Sequence, residues 1–339
     1  MPTARKLPSG SWRVQVYYKD KNGNIHRPSF TATTKREAEM MADKFILDTD
    51  RRLADSITVG QAVENYIESN KAVLSPSTVY NYTKDMKRLE PIKNINIQKL
   101  TSKDIQDFIS HLVNAELSPK TIKNTYGLLR TSLTFSGIDK QFVIHLPSNP
   151  KKKKIAPENE QIIALYQAAN KKMKIAISLA AFHSLRRGEV CGLKYGDLNG
   201  NALYIHSDMV KSADGKSWVH KETPKTDASN RTVYLSQKEV ELIGTGNPDD
   251  YIVNLTPGSV GTNFYNLCKR TGIKLRFHDL RGYYASISVA IGIPDIYLAH
   301  MGGWRENSSV LKEHYQKPIS SIDEGYAQKL NQYFDNLTS

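Results

Sequence analysis

Ser184-Leu185-Arg186-Arg187-Gly188-Glu189-Val190-Cys191-Gly192-Leu193-Lys194 is the stretch on which the reading of this chain turns. It sets two adjacent arginines before a short apolar run, and it opens an ordered series: Thr223-Pro224-Lys225-Thr226, His278-Asp279-Leu280-Arg281, Gly303-Trp304 and Glu313-His314-Tyr315. The surrounding chain of 339 residues is strongly basic, with 47 Lys and Arg against 34 Asp and Glu and a formal net charge of +13. That balance suits a polyanionic partner, whether nucleic acid or an acidic membrane surface. No stretch approaches the roughly 20 apolar residues of a membrane span. The N-terminal Met-Pro-Thr-Ala-Arg-Lys runs into no apolar segment of signal-peptide type. The expectation is a soluble cytoplasmic protein. Cys191 and Cys268 are too few for a disulfide framework, lack zinc-site spacing, and read as buried thiols.

Outward from that series the chain divides into segments. In residues 1–55, Trp12-Arg13-Val14-Gln15-Val16-Tyr17-Tyr18 alternates apolar and polar side chains as a half-buried strand does. Asn22-Gly23 offers a tight turn, and Thr34 with Glu37 predicts a capping box opening a helix to about Leu47. Up to Ala32 the segment holds Arg5, Lys6, Arg13, Lys19, Lys21 and Arg27 against Asp20 alone. This describes either a β-ribbon for a DNA groove or a solvated basic sheet. Residues 58–140 read as a helical bundle. Thr58 with Gln61 predicts a capping box, Ser75-Pro76 and Ser118-Pro119 mark helix starts, and Ile105, Phe108, Ile109 and Leu112 recur at helical spacing. Residues 141–157 form a connector whose proline-rich part contains Lys151-Lys152-Lys153-Lys154, either a plain linker or a basic tether of a DNA clamp. Residues 158–339 begin with helices. Strands are expected at 202–206, 218–221 and 231–235, with Asp214-Gly215 as a turn, and helices from Ser259 onward.

The ordered motifs resemble the tyrosine recombinases of the phage integrase family. Their pattern is an arginine in Leu-Arg-x-Gly-Glu, a lysine in a β-hairpin, His-x-x-Arg, a His or Trp, and a tyrosine nucleophile. Any one motif is weak, but five in order are specific. The likeness covers the whole third segment, and the first two look like the arm-binding and core-binding domains of lambda-type integrases. It implies a mainly α multidomain fold with small β-sheets, whose third domain is mixed α+β and catalytic. It also implies a site-specific recombinase that cuts and rejoins DNA through a 3′-phosphotyrosine, with Arg186, Lys225, His278, Arg281, Trp304 and the nucleophile Tyr315 as its site. Arg5, Lys6, Arg13, Arg27 and the four connector lysines are the expected DNA-binding residues. Double-stranded DNA at core and arm sites and three further copies of the chain are the implied partners, with an accessory DNA-bending protein and an excisionase as further candidates. No cofactor or metal is implied. Ala299-His300 imitates the Gly-His of many relatives, but Trp304 follows a glycine and lies 23 residues after Arg281, near the usual interval. Tyr326 and Tyr333, in the amphipathic tail 322–337, are the rival nucleophiles.

The residue types suit this chemistry on physical grounds. Displacement at a phosphodiester builds negative charge on nonbridging oxygens, which permanently charged guanidinium forks bind bidentately. A phenol with a pKa near 10 attacks and later leaves more readily than an alkyl alcohol. The departing sugar oxygen needs a proton, which a lysine can give, while a histidine can accept the phenol's. Indole supplies an N–H and an apolar wall but transfers no proton. Three other readings compete: a resolvase of DNA dimers with the same chemistry, a DNA-binding regulator that does not cut, and a two-metal carboxylate integrase.

Overall fold

The structure, a computed structural model, describes residues 3–19, 25–54, 57–148, 156–222 and 230–305, with Leu311, Ile319 and some positions between 322 and 332. The Asn22-Gly23 turn, Lys151 to Lys154, Lys225, Tyr315, Tyr326 and Tyr333 lie outside the described residues. Two compact units divide at Pro150 and Lys151.

The first unit opens with β1 (Arg5–Lys6), β2 (Trp12–Gln15), β3 (Tyr18–Lys19), β4 (Ile25–His26), β5 (Ser29–Ala32) and helix α1 (Lys35–Ala54). β1, β2 and β5 form an antiparallel sheet in that order, and β3 pairs with β4. Alternation along β2 sends Val14 into a small core with Val16, Ala38 and Ala42, so α1 covers one face of the sheet. The Thr34 hydroxyl accepts the Glu37 amide as expected, at 3.3 Å, but the Glu37 carboxylate turns to Thr33, so half of the capping box forms. The helix also runs past Leu47 to Ala54.

The bundle comprises α2 (Val59–Asn70), α3 (Pro76–Arg88), a 3-10 turn (Glu90–Ile92), α4 (Ser102–Asn114) and α5 (Pro119–Phe135). The Thr58–Gln61 capping box is present, and a second one, Thr101–Asp104, starts α4. Ser118 caps α5 through its hydroxyl, whereas Ser75 starts α3 by backbone geometry alone. Residues 141–145, expected as part of the connector, are tied to α4. Gln106 accepts the His145 amide at 2.7 Å, Ser102 accepts the Val143 amide at 3.1 Å, and Phe142 is buried.

In the second unit α6 (Asn159–Ala168), α7 (Lys171–Phe182) and α8 (Arg187–Gly192) precede five strands, β6 (Leu198–Asn199), β7 (Ala202–Ile205), β8 (Asp208–Lys211), β9 (Trp218–Lys221) and β10 (Arg231–Tyr234). Helices α9 (Gln237–Ile243), α10 (Pro257–Thr271), α11 (Asp279–Ala290) and α12 (Asp295–Gly302) follow. The apolar run of α7 is buried almost all round and forms the centre of a core shared with α6, β7, β10 and α10. β10, β7 and β6 make one antiparallel sheet, while β8 and β9 form a separate hairpin closed at Asp214-Gly215. Among the described residues β9 pairs with β8 and β10 with β7, and Lys225, between β9 and β10 in sequence, lies outside the described residues. Among the described residues no helix is long and apolar enough to cross a membrane.

Candidate active site

Helix α7 ends at Phe182, and the chain turns sharply at Ser184, whose φ of 62° is left-handed. That conformation costs about 1 kcal/mol outside glycine. It places the Ser184 carbonyl where the Arg281 guanidinium donates to it. Arg186 follows as the N-cap of α8, and Glu189, at the third helical position, accepts both the Arg186 amide at 2.8 Å and the Arg186 Nη1. Packing favours the glycine of the motif: a Cβ on Gly188 would lie 1.7 Å from the Asp208 carboxylate and 3.0 Å from the Met209 carbonyl of β8. The neighbouring arginines part company here. Arg187 is exposed and reaches α10, where its guanidinium fills the space beside Gly261, while Arg186 reaches across the fold and donates Nη2 to the Gly303 carbonyl at 3.0 Å.

Gly303 is the left-handed cap of α12, with φ of 66°. The Trp304 amide donates back to the Ala299 carbonyl at 2.9 Å, the 6→1 bond of a Schellman ending. This turn swings Trp304 under α11, where it is buried with Ala285, Leu298, Ala299 and Leu311. The Arg281 guanidinium lies 4.0 Å above the indole ring, is 1% exposed, and also donates to the Gly303 carbonyl at 3.4 Å. Trp304, not the exposed His300, is therefore the residue seated against Arg281. His278 caps the start of α11, three residues before Arg281 and on the same helical face. Desolvation by the surrounding protein, followed by the charge of Arg281, holds its imidazole below the ordinary histidine value.

The structure thus brings together Arg186, His278, Arg281 and Trp304, drawn from α8, α11 and the turn after α12. It also adds residues that sequence reasoning missed. Glu189 is 2% exposed and bridges Arg186 to Arg231, whose Nη2 lies 3.2 Å from its carboxylate. Burial alone would raise the Glu189 carboxyl, but Arg231, Arg186 and the Arg186 amide outweigh it and leave it below the usual carboxylate range. Arg231, buried on β10, also donates Nε to the Met301 carbonyl at 2.9 Å. Two signals were available: the i,i+3 capping-box spacing of Arg186 and Glu189, and a charge at a core-facing position of an alternating strand. Among the described residues, the three guanidiniums and one carboxylate of this cluster sum to +2. Carbonyl oxygens of Ser184, Met301 and Gly303 accept from these guanidiniums and fix geometry without cancelling charge.

Two immobilised guanidiniums beside an imidazole make an arrangement able to bind the nonbridging oxygens of a phosphate. Residues 58–113 match the family described as phage integrase, N-terminal SAM-like domain, and residues 157–319 match the phage integrase family. The chain belongs to this family, the tyrosine recombinases, enzymes that cleave and rejoin DNA strands at specific sites. It is 24% identical to a tyrosine recombinase XerC-like protein of Caldanaerobacter subterraneus subsp. tengcongensis, covering 95% of this chain and 96% of that one. It is 26% identical to the ICEBs1 integrase of Bacillus subtilis, over 71% and 70% of the two chains. In fold it is similar to the Tn1549 transposon integrase in complex with transposon right end DNA, with a TM-score of 0.66 and 17% identity over 81% of this chain and 100% of that one. It is likewise similar to a lambda integrase dimer bound to a core site, with a TM-score of 0.56 and 17% identity over 94% and 95%.

Proposed function

We propose that the chain integrates and excises a phage or other mobile element by two successive transesterifications through Tyr315. The observation that carries this reading is the convergence of Arg186 and Arg281 on one carbonyl, that of Gly303, with His278 on the same helix as Arg281. The two guanidiniums grip the nonbridging oxygens of the scissile phosphate, and His278, neutral near pH 7, accepts the Tyr315 proton. The phenolate oxygen bonds to phosphorus as the bond to the 5′ oxygen breaks, and Lys225 protonates that oxygen. Trp304 backs Arg281 and excludes water from it. Religation reverses each transfer, so bond energy is conserved in the phosphotyrosine and no cofactor or metal enters the scheme.

The N-terminal sheet is the arm-site reader in this proposal. β1–β2 register sets Arg5 opposite Arg13, and β2–β5 register continues to Thr31, on the face away from Val14 and Phe30. Arg27 lies over the exposed Tyr17 ring. Lys6 falls opposite Trp12, on the other phase of the strand, at the sheet edge. The bundle takes the core site, assisted by the connector lysines. Four protomers act at two sites, a number that the mass of the complex on a four-way junction reads directly. The setting is the cytoplasm, at the nucleoid.

Tyr315→Phe tests the reading. It removes only the attacking oxygen, so binding to a nicked duplex carrying the element's end sequence persists while the covalent adduct disappears. An adduct that survives, or that maps to Tyr326 or Tyr333, refutes the assignment.

A further inference from the structure

Arg231 enters no step of that mechanism, yet its guanidinium makes more connections across the site than a plain core ion pair needs. Nε donates to the Met301 carbonyl at 2.9 Å, Nη2 pairs with Glu189 at 3.2 Å, and Nη1 lies so close to the turn after α12 that a Cβ on Gly303 would approach it to 2.7 Å. One planar side chain therefore fixes the residues that fix the others. Glu189 orients Arg186, and the Met301–Gly303 turn carries the carbonyl to which both Arg186 and Arg281 donate. Arg231 also begins β10, six residues after Lys225 in sequence.

We propose that Arg231 is a positioning residue for strand cleavage: it holds Glu189 and the Gly303 turn in the one arrangement that aims Arg186 and Arg281 at the scissile phosphate. The inference rests on the proposed phosphotyrosine chemistry. Lysine cannot replace it, because an ammonium on a flexible stem lacks the planar fork that serves a carbonyl and a carboxylate at once. Gly303 is confined to glycine by the same guanidinium as well as by its positive φ.

The test is single-turnover cleavage of two nicked duplexes by wild type, Arg231→Lys, Arg186→Ala, Glu189→Gln and the Arg231→Lys/Glu189→Gln double variant. One duplex carries the natural scissile phosphate and the other a methylphosphonate, in which a methyl group replaces a nonbridging oxygen and removes one negative charge. Misplacement of about 1 Å costs about a hundred-fold in rate, so Arg231→Lys should cleave the natural duplex about a hundred-fold slower than wild type while binding it equally well. On the methylphosphonate, where less charge awaits the arginines, the ratio of variant to wild type should rise toward one for both Arg231→Lys and Arg186→Ala. The double variant should be no slower than the worse single variant, because both changes release the same guanidinium.

A merely structural Arg231 would slow both duplexes equally, and an independent one would multiply its defect with that of Glu189→Gln. Either result, or wild-type cleavage by Arg231→Lys, overturns the proposal. Arg231→Lys keeps the buried charge and carries the test even where Arg231→Ala does not fold. Absence of a Tyr315 adduct in the wild-type protein is a separate outcome, which overturns the underlying chemistry and the role of Arg231 with it.

Discussion

Glu239 offers the sharpest stability prediction. It lies at the third position of α9, where its carboxylate accepts the Ser236 amide at 2.9 Å, and it reaches across to α7, where it meets Ser178 Oγ and lies 2.9 and 3.1 Å from His183 Nε2. Burial would raise this carboxyl, but the hydrogen bonds of His183 and Ser178 and the charge of His183 dominate, and it falls from 4.5 to about 2. The side chain is 12% exposed, so solvent screens the group little. At roughly 1.36 kcal/mol per pH unit, the displacement corresponds to about 3 kcal/mol. The folded pKa lies below the unfolded one, so between these values the unfolded chain binds more protons and stability rises with pH. The contribution is complete above about pH 4.5 and is lost as pH falls through about 2.

Glu239→Gln keeps the shape of the side chain and removes the titration. Urea unfolding of both proteins, monitored between pH 6 and pH 2.5, should show wild type about 3 kcal/mol more stable at the upper end, with the gap closing as the pH falls. A gap that stays constant across the range would refute the reasoning, because the carboxylate would then contribute by shape alone. The His183 that Glu239 holds is the residue before Ser184, so the same variant should also slow adduct formation by loosening the turn that leads to Arg186.

The Lys225 and N-terminal readings have direct tests. Replacing the 5′-bridging oxygen with sulfur makes a thiolate leaving group that needs no acid, so Lys225→Ala should be at least about a hundred-fold slow on normal DNA and near wild type on the sulfur strand; equal defects would reassign the lysine to phosphate binding. Deleting residues 1–55 removes a sheet and helix with their own core. It should leave cleavage of a core duplex intact and abolish recombination that needs arm sites, and a truncated protein unable to cleave the core duplex would refute the modular reading.

Elements with a clean period were legible in the sequence. β7, β9 and β10 fall within a residue of their expected bounds, and along β7 and β10 buried positions alternate with exposed ones. β8 was missed since Asp208, Met209, Val210 and Lys211 are all half-buried, which leaves no alternation to read. The last turns of α1 escaped because Asp48, Asp50, Arg51 and Arg52 interrupt its apolar stripe. Motif spacing identified Arg186, His278, Arg281 and Trp304, which the fold does assemble. It could not show why Arg187 differs from its neighbour, which depends on the gap beside Gly261, nor that Glu189 and Arg231 are partners 42 residues apart.

That separation accounts for the charge balance of the site. Had Arg186 and Arg281 each been locked by its own buried carboxylate, both charges would be neutralised and the pair would offer a phosphate geometry without attraction. Instead one carboxylate is shared between Arg186 and Arg231, and the Arg281 guanidinium is fixed by the Ser184 and Gly303 carbonyls over the Trp304 face. Carbonyl dipoles and an aromatic quadrupole stabilise a guanidinium without cancelling its formal charge. Among the described residues the cluster therefore carries +2, the charge that the proposed mechanism turns on the scissile phosphate. Arg231 supplies the positive charge that lets Glu189 stay ionised while orienting Arg186, so Glu189 can fix the geometry while the site keeps its field.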